Sequence, residues 1–97
     1  MDVSVANYPG ADNIATNQVS VTSAATAIVA ARATRRSVLI INHGTTDVYI
    51  GGATVATSTG ILLVGTAGAA VSIPTAAAVY GIVASGSQTV SYIEVYD

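Results

Sequence analysis

Short apolar runs alternate with glycine, serine, threonine and asparagine along most of the chain. Val19 and Val21 alternate with Ser20 and Thr22, the period of a strand with one buried face. Ala27-Ile28-Val29-Ala30 follows after Ser23. Its alanines also suit a helix, but the run is short and has no helical cap. Arg36 to Asn42 is the strongest strand, because Val38-Leu39-Ile40-Ile41 is apolar on both faces. The polar stretch Asn42-His43-Gly44-Thr45-Thr46-Asp47 then leads to Val48-Tyr49-Ile50 and Gly51-Gly52. This pattern predicts a hairpin with a longer loop. Ile61 to Val64 forms the next run. Val71-Ser72-Ile73 is ended by Pro74, which removes a backbone donor. Val79 to Ala84 is again apolar on both faces.

On the last strand Val90, Tyr92, Glu94 and Tyr96 share one face, and Ser91, Ile93, Val95 and Asp97 share the other. Ile93 and Val95 are expected to face the core. The expected core is Val38, Ile40, Val48, Ile50, Val71, Ile73, Ile82, Ile93 and Val95. About seven or eight short strands with Gly/Ser/Thr turns predict an all-β fold, a small antiparallel β-sandwich or jelly-roll-like domain over residues 18–97. Residues 1–17 read differently. Tyr8-Pro9-Gly10-Ala11-Asp12-Asn13 is turn chemistry, and Val3 and Val5 alternate with polar residues over too short a span for a secure strand. The segment reads as an extended arm, or as a tail.

Composition changes this picture in one respect. Only 8% of the residues are charged and 52% are hydrophobic, against about 25% charged in an ordinary globular domain. Such a surface resists association poorly. Phe and Trp are absent, so the apolar residues are small and the core is thin. Part of the stability is therefore expected from burial between subunits. A net charge of −2 with three basic residues argues against a nucleic-acid surface. Without cysteine there is no disulfide framework and no thiolate site. The start Met1-Asp2 is not followed by a basic and then apolar run, so no signal peptide is expected. No apolar stretch is long enough for a membrane helix. The expected setting is the cytoplasm, or something assembled there.

Candidate chemistry is sparse. His43 is the only histidine, and a general base needs a positioned nucleophile or acid beside it. It reads as a turn residue. Asp2, Asp12 and Asp47 lack calcium-loop spacing and read as turn caps. The glycines at 51, 52, 65, 68, 81 and 86 match no phosphate loop and read as turn glycines. No catalytic, cofactor-binding or metal-ligating residue is assigned, and no cofactor is expected. Arg32, Arg35 and Arg36 lie near the start of the strongest strand. They suit a strand end, or bidentate pairing with carboxylates on a neighbour. Glu94 between Tyr92 and Tyr96 suits a solvated face, or an interface where Tyr supplies rigid area. The candidate interface set is Val3, Val5, Tyr8, Ile14, Arg35, Arg36, Tyr92, Glu94 and Tyr96.

Three stretches carry a family resemblance. Arg35-Arg36-Ser37-Val38-Leu39-Ile40-Ile41-Asn42-His43-Gly44 leads to Asp47-Val48-Tyr49-Ile50-Gly51. Gly60-Ile61-Leu62-Leu63 leads to Gly68-Ala69-Ala70-Val71-Ser72-Ile73. Ala78-Val79-Tyr80-Gly81-Ile82-Val83-Ala84-Ser85-Gly86 leads to the terminal strand. This succession, over about residues 25–97, resembles small β-domain proteins of tailed-phage particles, including capsid decoration (cement) and head-fibre-type domains. The resemblance implies a non-enzymatic virion protein on the capsid surface. It would assemble with itself, as a trimer, and bind the major capsid protein or another virion protein. A receptor- or glycan-binding module of a fibre or tail is the alternative. The family pattern supplies no catalytic residue, and residues 1–17 lie outside it.

Overall fold

A computed structural model describes residues 10–97. Among them there are eight strands and no helix: β1 (Asn13–Thr22), β2 (Thr26–Val29), β3 (Arg35–Asn42), β4 (Val48–Gly51), β5 (Ile61–Leu63), β6 (Ala70–Ile73), β7 (Val79–Ile82) and β8 (Ser87–Tyr96). They form two four-stranded antiparallel sheets, in the orders β1-β8-β3-β6 and β2-β7-β4-β5. Only the β4–β5 connection stays within one sheet; every other connection crosses to the opposite one. This is the jelly-roll form of the sandwich, and the fold class expected from the strand pattern is the one observed.

The strand pairing corrects two expectations. β3 and β4 do not form a hairpin, because they belong to different sheets. The polar stretch between them is long enough to turn the chain over the end of the sandwich. β1 begins at Asn13 and pairs with β8 from Asn13↔Tyr96 to Thr22↔Ser87. Residues 13–17 therefore belong to the sheet rather than to an arm. Their backbone is held by β8, while their side chains are mostly exposed, which is why they show no apolar period.

Between the sheets lie Val21, Ile28, Val29, Val38, Ile40, Val48, Ile50, Leu63, Val79, Val83 and Val90. Val38, Ile40, Val48 and Ile50 are buried as expected, and Val71 and Ile73 pack against them half-buried. Ile82 is not in the core, because β7 points Val79 and Gly81 inward. Gly81 is no turn residue. A Cβ there would lie 2.8 Å from Ile28 Cδ1 and 3.3 Å from Val48 Cγ1. The missing side chain is what lets Ile28 of the neighbouring strand β2 fill the space. Ile93 and Val95 also point out of the core. On β8 the inward face is Val90, Tyr92 and Glu94, with Val90 and Glu94 buried and Tyr92 packed on the core.

The crossovers are tied down at both ends of β3. At its C-terminal end Asn42 is fully buried. Its Nδ2 donates to Thr46 O at 2.9 Å and to Val64 O at 3.2 Å, and its Oδ1 accepts the Gly44 N–H at 2.9 Å. Its backbone N–H donates to Ala69 O, and its carbonyl accepts from the Gly68 N–H. One side chain thus satisfies the β3–β4 and β5–β6 crossovers together. Gly65 packs so closely here that a Cβ would lie 2.2 Å from Thr45 O, and its N–H donates to Asp47 Oδ1 at 2.6 Å.

Replacing Asn42 by Leu keeps a similar volume but leaves buried carbonyls without donors, at roughly 1–3 kcal/mol each. Asn42→Leu is expected to lower the unfolding free energy by about 2–4 kcal/mol in urea denaturation. A change within about 0.5 kcal/mol, the range of an ordinary surface substitution, would show that Asn42 does not hold the crossovers.

Candidate interaction surface

The chemistry of the surface follows from where the few charges go. Arg35 opens β3 and its side chain is fully buried. A bulge between Arg35 and Ser37 inserts Arg36 as an extra residue opposite β8. Without that bulge Arg35 and Val38 would face opposite ways; with it both point inward. Arg35 Nε donates to Glu94 Oε1 at 2.9 Å, and Nη1 donates to Thr75 O at 3.1 Å and Ala77 O at 2.8 Å. Nη2 donates to Ala30 O. The guanidinium therefore joins β8 to the β2–β3 and β6–β7 crossovers.

Glu94 is 3% exposed. Besides Arg35 it accepts from Arg32 Nε at 2.9 Å and Nη2 at 3.3 Å. Arg32 is only part-buried and lies 3.7 Å from the Tyr96 ring centroid, a cation–π contact. Burial pushes the Glu94 carboxyl up, but the hydrogen bonds from Arg32 and Arg35, with their charges, outweigh it and hold the group below its ordinary value. Among the described residues no buried side-chain nitrogen or oxygen lacks a partner. Arg36 Nε pairs with Asp97 Oδ2 at 3.0 Å, and both side chains are exposed.

These contacts revise the interface set. Arg35 and Glu94 are inside the domain, Tyr92 packs on the core, and Tyr96 stacks under Arg32 at one end. None of these four forms the outward patch expected of them. The face holding Glu94 goes inward because two arginines meet its charge there. Arg36 stays at the surface, and Ile14, on β1 opposite Val95, is 66% exposed. Val3, Val5 and Tyr8 lie outside the described residues. His43 follows β3 and is exposed, with its Nε2 hydrogen-bonded to Ser91 Oγ.

What faces outward instead carries no charge on either side of the sandwich: on the first sheet an apolar cluster beside Thr16, Gln18 and Ser91, on the second an apolar strip. On the first sheet the register sets Ile14 beside Val95, and Ile93 beside both Thr16 and Leu39; Ile41 lies beside Ser91. A shallow depression of about 680 Å³ runs over Thr16, Gln18, Ile41, Ser91 and Ile93. On the second sheet Tyr49 lies between Leu62 and Ile82, and Tyr80 lies beside Ala27. Asp12, Arg32, Arg35, Arg36, Glu94 and Asp97 gather at one end, and Asp47 sits at the other. Between those ends neither outer face carries a charged side chain. Sequence reasoning met half of this surface in the two-faced run 38–41 and assigned Ile93, Val95 and Ile82 to the wrong side.

No group of three or more His, Cys, Asp or Glu comes together among the described residues. The chain matches no family model, no curated protein and no solved structure. The arrangement can therefore be read only from its own chemistry: two uncharged faces, a buried ion cluster at one end and a buried amide hub at the other.

Removing the Glu94 charge strands Arg35. Glu94→Gln is expected to lower the unfolding free energy at pH 7 by about 3 kcal/mol, the scale of a broken buried pair. Because the folded pKa is below the ordinary 4.5, the contribution of Glu94 is complete above that pH and is lost as pH falls through the lowered folded value. Thermal unfolding between pH 7 and pH 2 is expected to show a smaller acid loss in Glu94→Gln than in the unsubstituted protein. Equal acid losses would remove Glu94 from the account.

Proposed function

We propose that the chain is a non-enzymatic structural protein of a virus particle: a capsid decoration or cement protein that assembles with itself and binds the shell. The observation that carries this reading is the pair of charge-free outer faces, each with an apolar cluster: Ile14, Leu39, Ile41, Ile93 and Val95 on one, Tyr49, Leu62, Tyr80 and Ile82 on the other. A soluble monomer seldom leaves a large apolar patch uncovered, and here such clusters flank both sides of a thin core. The cover for such a face is another protein surface. Burial there adds area that the small side chains of the core do not supply.

Two further features support the reading. The jelly roll is a fold used by viral capsid proteins, though fold alone assigns no function. The sequence also resembles β-domains of tailed-phage particles over its strand-and-turn pattern. The proposed self-association is uncharged in character, so it depends little on salt, unlike contacts between charged surfaces. A cement protein needs no reacting group. Its work is the area it buries across the junctions of the shell.

Electron microscopy of particles carrying the labelled protein tests the location. Density at repeating shell positions is expected; label confined to tail or fibre tips indicates the receptor- or glycan-binding module instead. Absence from particles rules out both. The surface has its own test in Ile93→Lys, which puts a charge on the outer face of β8 without touching the core. The variant is expected to fold with nearly unchanged stability and to self-associate at least about tenfold more weakly in sedimentation, equivalent to about 1.4 kcal/mol. Unchanged association would exclude this face.

A further inference from the structure

The sandwich is open along one side. β6 is the last strand of one sheet and β5 the last strand of the other. Between them lies a cavity of about 410 Å³, walled by Ile50, Ile61, Val71, Ile73, Ala78 and Val79. No charged side chain lines it. The strands beside it have a free edge, and natural sheets usually blunt such edges with very short strands, Lys, Pro or a bulge. β5 is short, at three residues, but carries no Lys, Pro or bulge; its Ile61 is 68% exposed at the mouth of the cavity and Leu62 is 52% exposed.

The chain itself contains an occupant of matching chemistry. In Met1-Asp2-Val3-Ser4-Val5-Ala6-Asn7-Tyr8-Pro9, Val3 and Val5 alternate with Ser4, and Asp2 is the only charged side chain. In an extended chain two such residues share a face. The place where this segment joins the domain also fits. β1 opens at Asn13, opposite Tyr96, which in turn lies opposite Arg35. The cavity lies at that same end, for Thr75 and Ala77, whose carbonyls hold Arg35, line it. Nine residues reach about 30 Å when extended.

Within one domain, however, β1 and β6 are opposite edges of the same sheet, about 14 Å apart at roughly 4.8 Å per strand. An apolar segment crossing that distance would use about half its reach over the end where the charged side chains of Arg32, Arg36 and Asp97 reach the surface. A neighbouring copy requires no such crossing. Resting on the self-association proposed above, we infer that residues 1–9 of one copy seat in the groove between β5 and β6 of a neighbouring copy, with Val3 and Val5 pointing in. This is strand addition at a sheet edge, where backbone hydrogen bonds give affinity and alternate side chains fill pockets.

The chain has no cysteine, so introduced thiols report on this contact alone. The full chain carrying Val5→Cys with Ile61→Cys is oxidised and separated under denaturing, non-reducing conditions, and Val3→Cys with Ile61→Cys covers a register shifted by one pair. Covalent dimers and higher multiples are expected from at least one pair. The control pair of Val5→Cys with Thr22→Cys, at the far end of the domain, is expected to remain uncross-linked. An intrachain disulfide, equal cross-linking in the control, or no cross-link with either pair overturns the inference. Sedimentation of the same samples separates the two failures. Oligomers without the cross-link defeat only the arm contact, whereas monomers defeat the self-association on which it rests.

Discussion

The carboxylate of Glu94 meets the guanidinium of Arg35 inside the sandwich, and the facing of β8 depends on that meeting. A strand has a period of two, so shifting it by one residue turns every side chain to the other face. With Glu94 inward, Val90 and Tyr92 complete the core, and Ile93 and Val95 are turned out. The pair need not add net stability, since two charges taken out of water lose about as much as they gain. What it does is make the opposite facing costly, because Arg35 would then be buried without a counter-charge. The same guanidinium holds carbonyls from both crossovers at its end. Asn42 does the corresponding work at the other end of β3. β3 is thus polar at both inward ends and apolar between them, and the loops that close the jelly roll are hung from those ends.

Much of this was legible in the sequence, in particular places. The inward phase of β4 followed from Val48 and Ile50 alternating with Asp47, Tyr49 and Gly51; Val38 and Ile40 were expected inside and are, but Leu39 and Ile41 are as apolar, so the pattern of β3 does not itself fix its phase. The facing of β8 did not follow, because both its faces are nearly equally apolar and the acid weighed against the one chosen by the fold. The available signal was the lone Glu94 on that strand together with Arg32 and Arg35, the groups able to neutralise it. β7 was misread for a related reason: Val79 and Ile82 compete for the core, and the choice is made by the absence of a side chain at Gly81, which has no hydropathy to read. The crossing between β3 and β4 leaves no mark in the sequence, since a loop of that length serves either a hairpin or a change of sheet. The start of β1 was hidden because an exposed edge strand is held by its backbone.

The distribution of charge links fold to proposed role. Seven charged residues lie within residues 10–97, and three of them are consumed in one cluster. With Arg36 paired to Asp97, little charge is left to keep copies apart or to steer them together. The proposed association between uncharged sheet faces would then rest on shape and apolar area. That suits a permanent place in an assembly better than transient exchange between charged surfaces.

The central proposal is that an inward Glu94 turns Ile93 and Val95 outward, onto a face which another copy or the shell covers. Thiol alkylation of the single-cysteine variant Ile93→Cys tests it most directly, read at dilutions where the protein is dissociated and at concentrations where it is assembled. The account predicts rapid labelling in the dissociated subunit and strong protection after assembly. Slow labelling in the dissociated subunit would contradict the facing of β8, and equally rapid labelling in the assembled form would contradict the covered face.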